Sequence, residues 1–99
     1  MKMLVLVYNY LLEEEVHALL AMMDVAAYSK VPKILGSGKS GRVEDSRYAP
    51  GYNRLIFAVL PNEQVGPLVE RFREIVGTHK QNGRSVGIHA FELPCEQLL

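Results

Sequence analysis

Two short runs set the terms for this chain. Residues 2–8 (KMLVLVY) and 54–60 (RLIFAVL) have strand-like composition, yet each is apolar on both of its faces. Successive side chains of a strand point to opposite sides. Met3, Val5 and Val7 therefore share one face, and Leu4, Leu6 and Tyr8 share the other. In the second run Leu55, Phe57 and Val59 oppose Ile56, Ala58 and Leu60. A strand with one solvated face alternates apolar with polar residues. These two do not, so the sheet they build needs cover on both sides.

The rest of the chain supplies cover for one side. Residues 11–25 read as a helix, because Leu12, Val16, Leu19, Leu20 and Met23 fall on one stripe. Glu13, Glu14 and Glu15 stand in its first turn, where negative charge suits the helix dipole. Residues 26–35 form a weaker strand, and Pro32 assigns it to an edge or a bend. Residues 36–53 (GSGKSGRVEDSRYAPGYN) are rich in glycine, serine and charge and read as a long loop. After the strand at 54–60, Pro61-Asn62 starts a second helix, with Asn62 as its cap. Its stripe is Val65, Leu68, Val69, Phe72, Ile75 and Val76, and Gly77 is placed to end it. Gly66-Pro67 predicts an irregular first turn or a later start. A turn at Asn82-Gly83 leads to a last strand over 85–93, closed by Pro94.

The order is β-α-β-β-α-β over 1–99, read as one domain. Two such halves form an α+β, ferredoxin-like antiparallel sheet with both helices on one face. The opposite face stays apolar and open. A bare patch of several hundred Å² is abnormal for a soluble monomer. Self-association through the sheet is the simplest resolution, with the number of subunits left open by these residues.

Composition narrows the function classes. Eleven basic and eleven acidic residues cancel, which argues against a general nucleic-acid binder. Residues 2–8 are too short a run to span a membrane, and no cleavage site follows them. The lone Cys95 cannot form an internal disulfide, and a cytoplasmic location is expected. Charge is nevertheless uneven. Lys30, Lys33, Lys39, Arg42, Arg47 and Arg54 outnumber Glu44 and Asp45 between residues 30 and 54. Such a segment suits an anion or an acidic partner, and equally a solvated loop.

Few residues carry a chemical signature. Gly36-Ser37-Gly38-Lys39-Ser40-Gly41 lets backbone N–H groups approach a phosphate, with Lys39 adding charge. It is not a Walker A loop, which would need glycine at position 33, where lysine stands. Asn82-Gly83-Arg84 is a second glycine-cation turn. His17, His79 and His89 lack metal-ligand spacing within one chain. Tyr48 and Tyr52 are interaction candidates on the long loop. No catalytic triad or carboxylate pair emerges, so an enzyme is not expected.

The stretches VPKILGSGKSGR and YNRLIFAVLPNEQVGPLVERF resemble the PII family of signal-transduction proteins, and the spacing of elements matches over nearly the whole chain. The family's TGxxGDGK loop stands here as GTHKQNGR. The resemblance implies a homotrimer with its sheets packed inward. It implies a small anionic effector, for example ATP, ADP or AMP, in clefts between subunits, with no resident cofactor. It also implies that residues 36–53 dock onto a partner protein such as a transporter or an enzyme. Carried over position by position, Gly36, Gly38, Lys39 and Ser40 match the start of the family's interaction loop. Gly83 and Arg84 match the end of its second phosphate loop, and Val7 matches an apolar residue of the cleft. CutA-like and metal-responsive PII-like proteins share the fold. They give the alternative, a metal bound between subunits by His79, His89 or Cys95.

Overall fold

A computed structural model of the chain describes residues 1–38, 41–43, 51–84 and 86–99. The elements are β1 (Lys2–Asn9), a 3-10 turn (Tyr10–Leu12), α1 (Glu13–Met22), β2 (Ser29–Ile34), β3 (Gly36–Gly38), β4 (Gly41–Val43), β5 (Asn53–Leu60), α2 (Asn62–Gln81) and β6 (Ile88–Pro94). The main sheet runs β2-β5-β1-β6, and every neighbouring pair is antiparallel. The two doubly apolar runs are its central strands. This is the ferredoxin-like α+β arrangement.

Both helices pack on one face. Leu4, Leu6 and Tyr8 of β1 and Ile56, Ala58 and Leu60 of β5 are buried there. Val16, Leu19 and Leu20 of α1 and Val65, Leu68 and Phe72 of α2 meet them in one core. The other face is the mirror of this pattern. Met3 lies between Val59 and Leu93, Val5 between Phe57 and Phe91, and Val7 between Leu55 and His89. Val31 of β2 extends the last row beside Leu55. Phe57, Val59, Phe91 and Leu93 are 37%, 46%, 58% and 51% exposed. Two apolar rows and a third that adds His89 to Val7, Leu55 and Val31 thus stand uncovered in the single chain, as the two-faced runs require.

Pro32 acts as expected. β2 is an edge strand, and its register against β5 shifts between Val31 and Ile34. The loop at 36–53 needs correction, because β3 and β4 pair within it, with Gly36 opposite Val43 and Gly38 opposite Gly41. The second helix also differs. Pro61 holds the capping position and Asn62 is already helical, without a side-chain cap bond. Gln64 N–H donates to the Pro61 carbonyl, an i+3 bond common at helix starts, and the α-helix runs from Asn62 without the later start that Gly66-Pro67 suggested. Pro67 then sits inside the helix. It removes one donor near the start of twenty residues, which the buried stripe outweighs. Gly77 does not stop the helix, which continues to Gln81. A mid-helix glycine costs only about 1 kcal/mol.

Both helices end in the same motif. In α1, Asp24 N–H donates to Ala21 and Val25 N–H to Leu20, with Asp24 at φ 60°. In α2, Gly83 N–H donates to Lys80 and Arg84 N–H to His79, with Gly83 at φ 74°. These are Schellman endings, in which one left-handed residue lets two N–H groups satisfy the last carbonyls.

The two faces of β5 make a direct comparison. Leu60 is 5% exposed and belongs to the core, whereas Val59 belongs to the open face. Leu60→Asp should lower stability by about 4 kcal/mol or more, through an unpaired buried charge. Val59→Asp should change the stability of a single chain by about 1 kcal/mol or less. Urea denaturation at concentrations where both variants are monomeric compares them directly with each other, and equal midpoints would refute the assignment.

Candidate functional site

The two glycine-cation segments leave the same end of the sheet. β2 ends beside Asn53, at the start of β5. β6 begins opposite Tyr8, and the Gly87 carbonyl accepts from Asn9 N–H at 3.0 Å. Gly36 and Gly38 therefore emerge at one edge of this end, and Gly83 and Arg84 arrive at the other. Three strand intervals, on the order of 14 Å, separate the two edges. Val7 lies near the same end, on the open face beside His89 and Leu55. Lys39, Ser40 and Tyr48 lie outside the described residues.

Gly83 and Arg84 line a cavity of about 370 Å³ with Val76, Lys80 and Val86. The N–H groups of Gly83 and Arg84 are committed to the end of α2. What this cavity offers an anion is therefore the ammonium of Lys80 and the guanidinium of Arg84. Neither side chain has an ion-pair partner among the described residues. Gly83 has open space where a Cβ would stand, so its backbone angle is what asks for glycine.

The helix side of the same end holds a cluster that sequence reasoning missed. Glu13, the first residue of α1, accepts from Lys30 of β2 at 2.5 Å and from Arg54 of β5. The buried Tyr8 hydroxyl donates to the same carboxylate at 3.2 Å. His17 Nε2 lies 2.6 Å from both Glu13 and Lys30. Burial opposes ionisation of Glu13, but the hydrogen bonds from Lys30 and Arg54 outweigh it and hold the carboxyl below its usual range. Burial first, and the neighbouring Glu13 charge second, push the Tyr8 phenol upward. Three glutamates in a row read as a charged helix start. Nothing local distinguishes the one that meets cations 17 and 41 residues away.

Tyr52 joins the cluster from outside. Its ring stacks on Tyr10 with centroids 4.6 Å apart, and Lys33 and Arg54 lie over it at 5.6 and 5.5 Å. Arg54 also donates to the Tyr52 hydroxyl at 3.1 Å. Lys30 precedes the 36–53 segment and Arg54 follows it, so Glu13 ties its two stems to α1.

The histidines are scattered. His79 Nε2 pairs with Glu15 at 2.8 Å, and its Nδ1 is buried with no hydrogen-bond partner among the described residues. His89 stands on the opposite face of the sheet, beside Val7. Among the described residues of one chain, no three of His, Cys, Asp and Glu gather to hold a metal. No described helix is long and apolar enough to cross a membrane.

Removing the Glu13 charge alters both the stability and its pH dependence. Its lowered carboxyl means that the ionised form stabilises the fold. That contribution is complete above the ordinary carboxylate pKa, about 4, and is lost as pH falls through the lower folded value. Glu13→Gln should cost about 2 kcal/mol near neutral pH. It should also flatten the loss of stability that wild type shows in acid. Urea midpoints from neutral to acid pH measure both, and parallel curves for the two proteins would show that Glu13 carries no such charge coupling.

No protein-family model matches the chain, and comparison with curated proteins finds no match. Solved structures do match. CPII of Thiomonas intermedia K12, a nitrogen regulatory PII-like protein bound to ADP, AMP and bicarbonate, is 24% identical with a TM-score of 0.69 over 93% of this chain and 84% of that one. CPII with ADP and bicarbonate is 25% identical with a TM-score of 0.68 over the same shares. A protein of Thermus thermophilus described as PII-like signalling is 17% identical, with a TM-score of 0.67 over 93% and 83%. The resemblance in VPKILGSGKSGR and YNRLIFAVLPNEQVGPLVERF extends to three dimensions, and this chain has the fold of the PII-like proteins.

Proposed function

We propose that the chain is one domain of a cytoplasmic regulatory homotrimer of the PII type, without catalytic activity of its own. A small anionic effector, with an adenine nucleotide as first candidate, binds in the clefts between subunits. Residues 36–53 then regulate a partner protein such as a transporter or an enzyme. The carrying observation is that the Gly36–Gly38 and Gly83–Arg84 segments leave one end of a sheet whose other face is apolar and open. Packing three such faces together would cover the rows around Val5 and set the sheet ends at subunit borders. CPII, of the same fold, has been solved with ADP, AMP and bicarbonate, which supports an anionic effector. The gathering of Lys30, Lys33 and Arg54 on one side and Lys80 and Arg84 on the other supports it as well.

An effector moves the loop only as far as its affinity differs between two loop arrangements. Glu13 supplies one such arrangement, because it holds both stems. An anion that draws on Lys30 or Arg54 would compete with it. The neutral overall charge leaves nucleic acid an unsuitable partner.

Two measurements test the reading. Sedimentation equilibrium should give three times the mass of the 11.1-kDa chain. Val59→Asp should release a folded monomer, and a folded wild-type monomer at micromolar concentration would remove the trimer. Calorimetry with ATP, ADP and AMP should detect binding that Lys39→Ala and Arg84→Ala each weaken roughly ten- to hundredfold. That is the loss of a charged hydrogen bond of about 1.5–3 kcal/mol. No heat at millimolar nucleotide would eliminate the nucleotide effector, and binding unchanged by both substitutions would move the site elsewhere.

A further inference from the structure

On the outer surface, away from the open sheet face, α1 and α2 enclose a groove of about 490 Å³. That volume lies within the range of small-ligand sites. Its apolar wall is Ala18, Leu19 and Met22 from α1 and Ile75 from α2. Met22 is 60% exposed in the single chain, whereas Leu19 beside it is buried. Most of the polar rim is already paired. Glu15 pairs with His79 across the two helices at 2.8 Å, and Arg71 pairs with Glu74 along α2 at 3.6 Å. One rim cation remains, Arg84, which has no ion pair among the described residues. The groove is therefore an apolar slot with one cation at the end of α2, Arg84, outside any ion pair among the described residues.

We propose that this groove binds a small amphipathic monocarboxylate, with its apolar body between Met22 and Ile75 and its carboxylate on Arg84. The chemistry follows from the residues. A dianion would leave one charge unmatched and facing Glu15 and Glu74, whereas a neutral apolar molecule would leave Arg84 unused. A monoanion with a hydrocarbon body satisfies both halves of the site. This second site goes beyond the effector reading and does not rest on it. Arg84 also lines the smaller cavity with Lys80, so the two sites share one cation, and filling one weakens the other.

The test uses the full chain labelled with nitrogen-15 and sodium 4-phenylbutyrate as probe. Titration to about 10 mM should move the amides of Ala18, Met22 and Ile75 in a saturable way, as a millimolar ligand would. Ala18→Trp fills the slot from the groove wall, and should weaken binding about tenfold or more. Arg84→Ala should weaken phenylbutyrate by about tenfold but leave the uncharged 4-phenylbutanol unchanged. Lys80→Ala, which touches only the other cavity, should not affect the probe. Ala18→Trp should leave nucleotide binding as in wild type, so the two readings fail separately. The proposal is overturned by an absence of saturable shifts at the groove, by shifts that Ala18→Trp does not weaken, or by equal effects of Arg84→Ala on acid and alcohol.

Discussion

Two helices can cover only one side of a four-stranded sheet, and in this chain the central strands are apolar on both. Every larger feature depends on that mismatch. On the helix side, Leu6 and Ile56 close against Leu20 and Leu68 with almost no exposure. On the other side, the same backbone holds Val5 between Phe57 and Phe91 with nothing above them in the single chain. The hydrophobic effect does not distinguish an internal partner from a second copy; it acts on area removed from water. Among the described residues no third layer folds over the sheet. If copies pack on the uncovered face, as proposed, the sheet ends and helix backs stay outside that contact.

The second organising element is the Glu13 carboxylate. The segment before and after the long loop is basic, and its cations approach one another when β2 and β5 pair. Lys30 and Arg54 would repel across that pair. Glu13 sits between them at the first turn of α1, where the helix dipole also favours its charge. The Tyr8 hydroxyl, sealed in the core, completes its shell. The surrounding groups are partly buried, so their coupling survives physiological salt better than that of surface pairs such as Arg73 with Glu70. The charge imbalance visible along the chain thus serves in part to fix α1 to the loop stems.

How much of this was legible follows from the range of each signal. The strands at 2–8 and 54–60 were readable because alternation is a local pattern, and the open face followed from it directly. Pro32 was readable because a missing N–H has only a few places in a sheet. Gly77 misled, because a glycine ends a helix only where the chain also needs a left-handed residue. That need falls at Gly83, and in α1 it falls on Asp24, which no glycine marks. The pairing of β3 with β4 was hidden by glycine and serine, which carry no strand signature. Glu13 was hidden differently: its partners are distant in sequence, and its neighbours Glu14 and Glu15 look the same. Of the carried-over site residues, Gly36, Gly38, Gly83, Arg84 and Val7 fall at one end of the sheet, whereas Lys39 and Ser40 are outside the described residues.

The helix endings also change how an anion would be recognised at that end. A glycine-rich phosphate loop works by turning free backbone N–H groups toward the ligand. In GTHKQNGR, the N–H groups of Gly83 and Arg84 already serve the carbonyls of Lys80 and His79. At the other edge, Gly36 and Gly38 belong to a two-stranded ladder with Val43 and Gly41. Under the proposed reading, an anion at this end would meet side-chain cations, Arg84 and Lys80 at one edge and the basic stems at the other, rather than the N–H groups of Gly83 and Arg84. Side-chain cations impose looser geometry than a backbone nest and respond more strongly to ionic strength. The proposed effector would then be selected by charge and size before shape. This fits a cleft completed by a neighbouring subunit, whose walls would supply the shape that the single chain lacks.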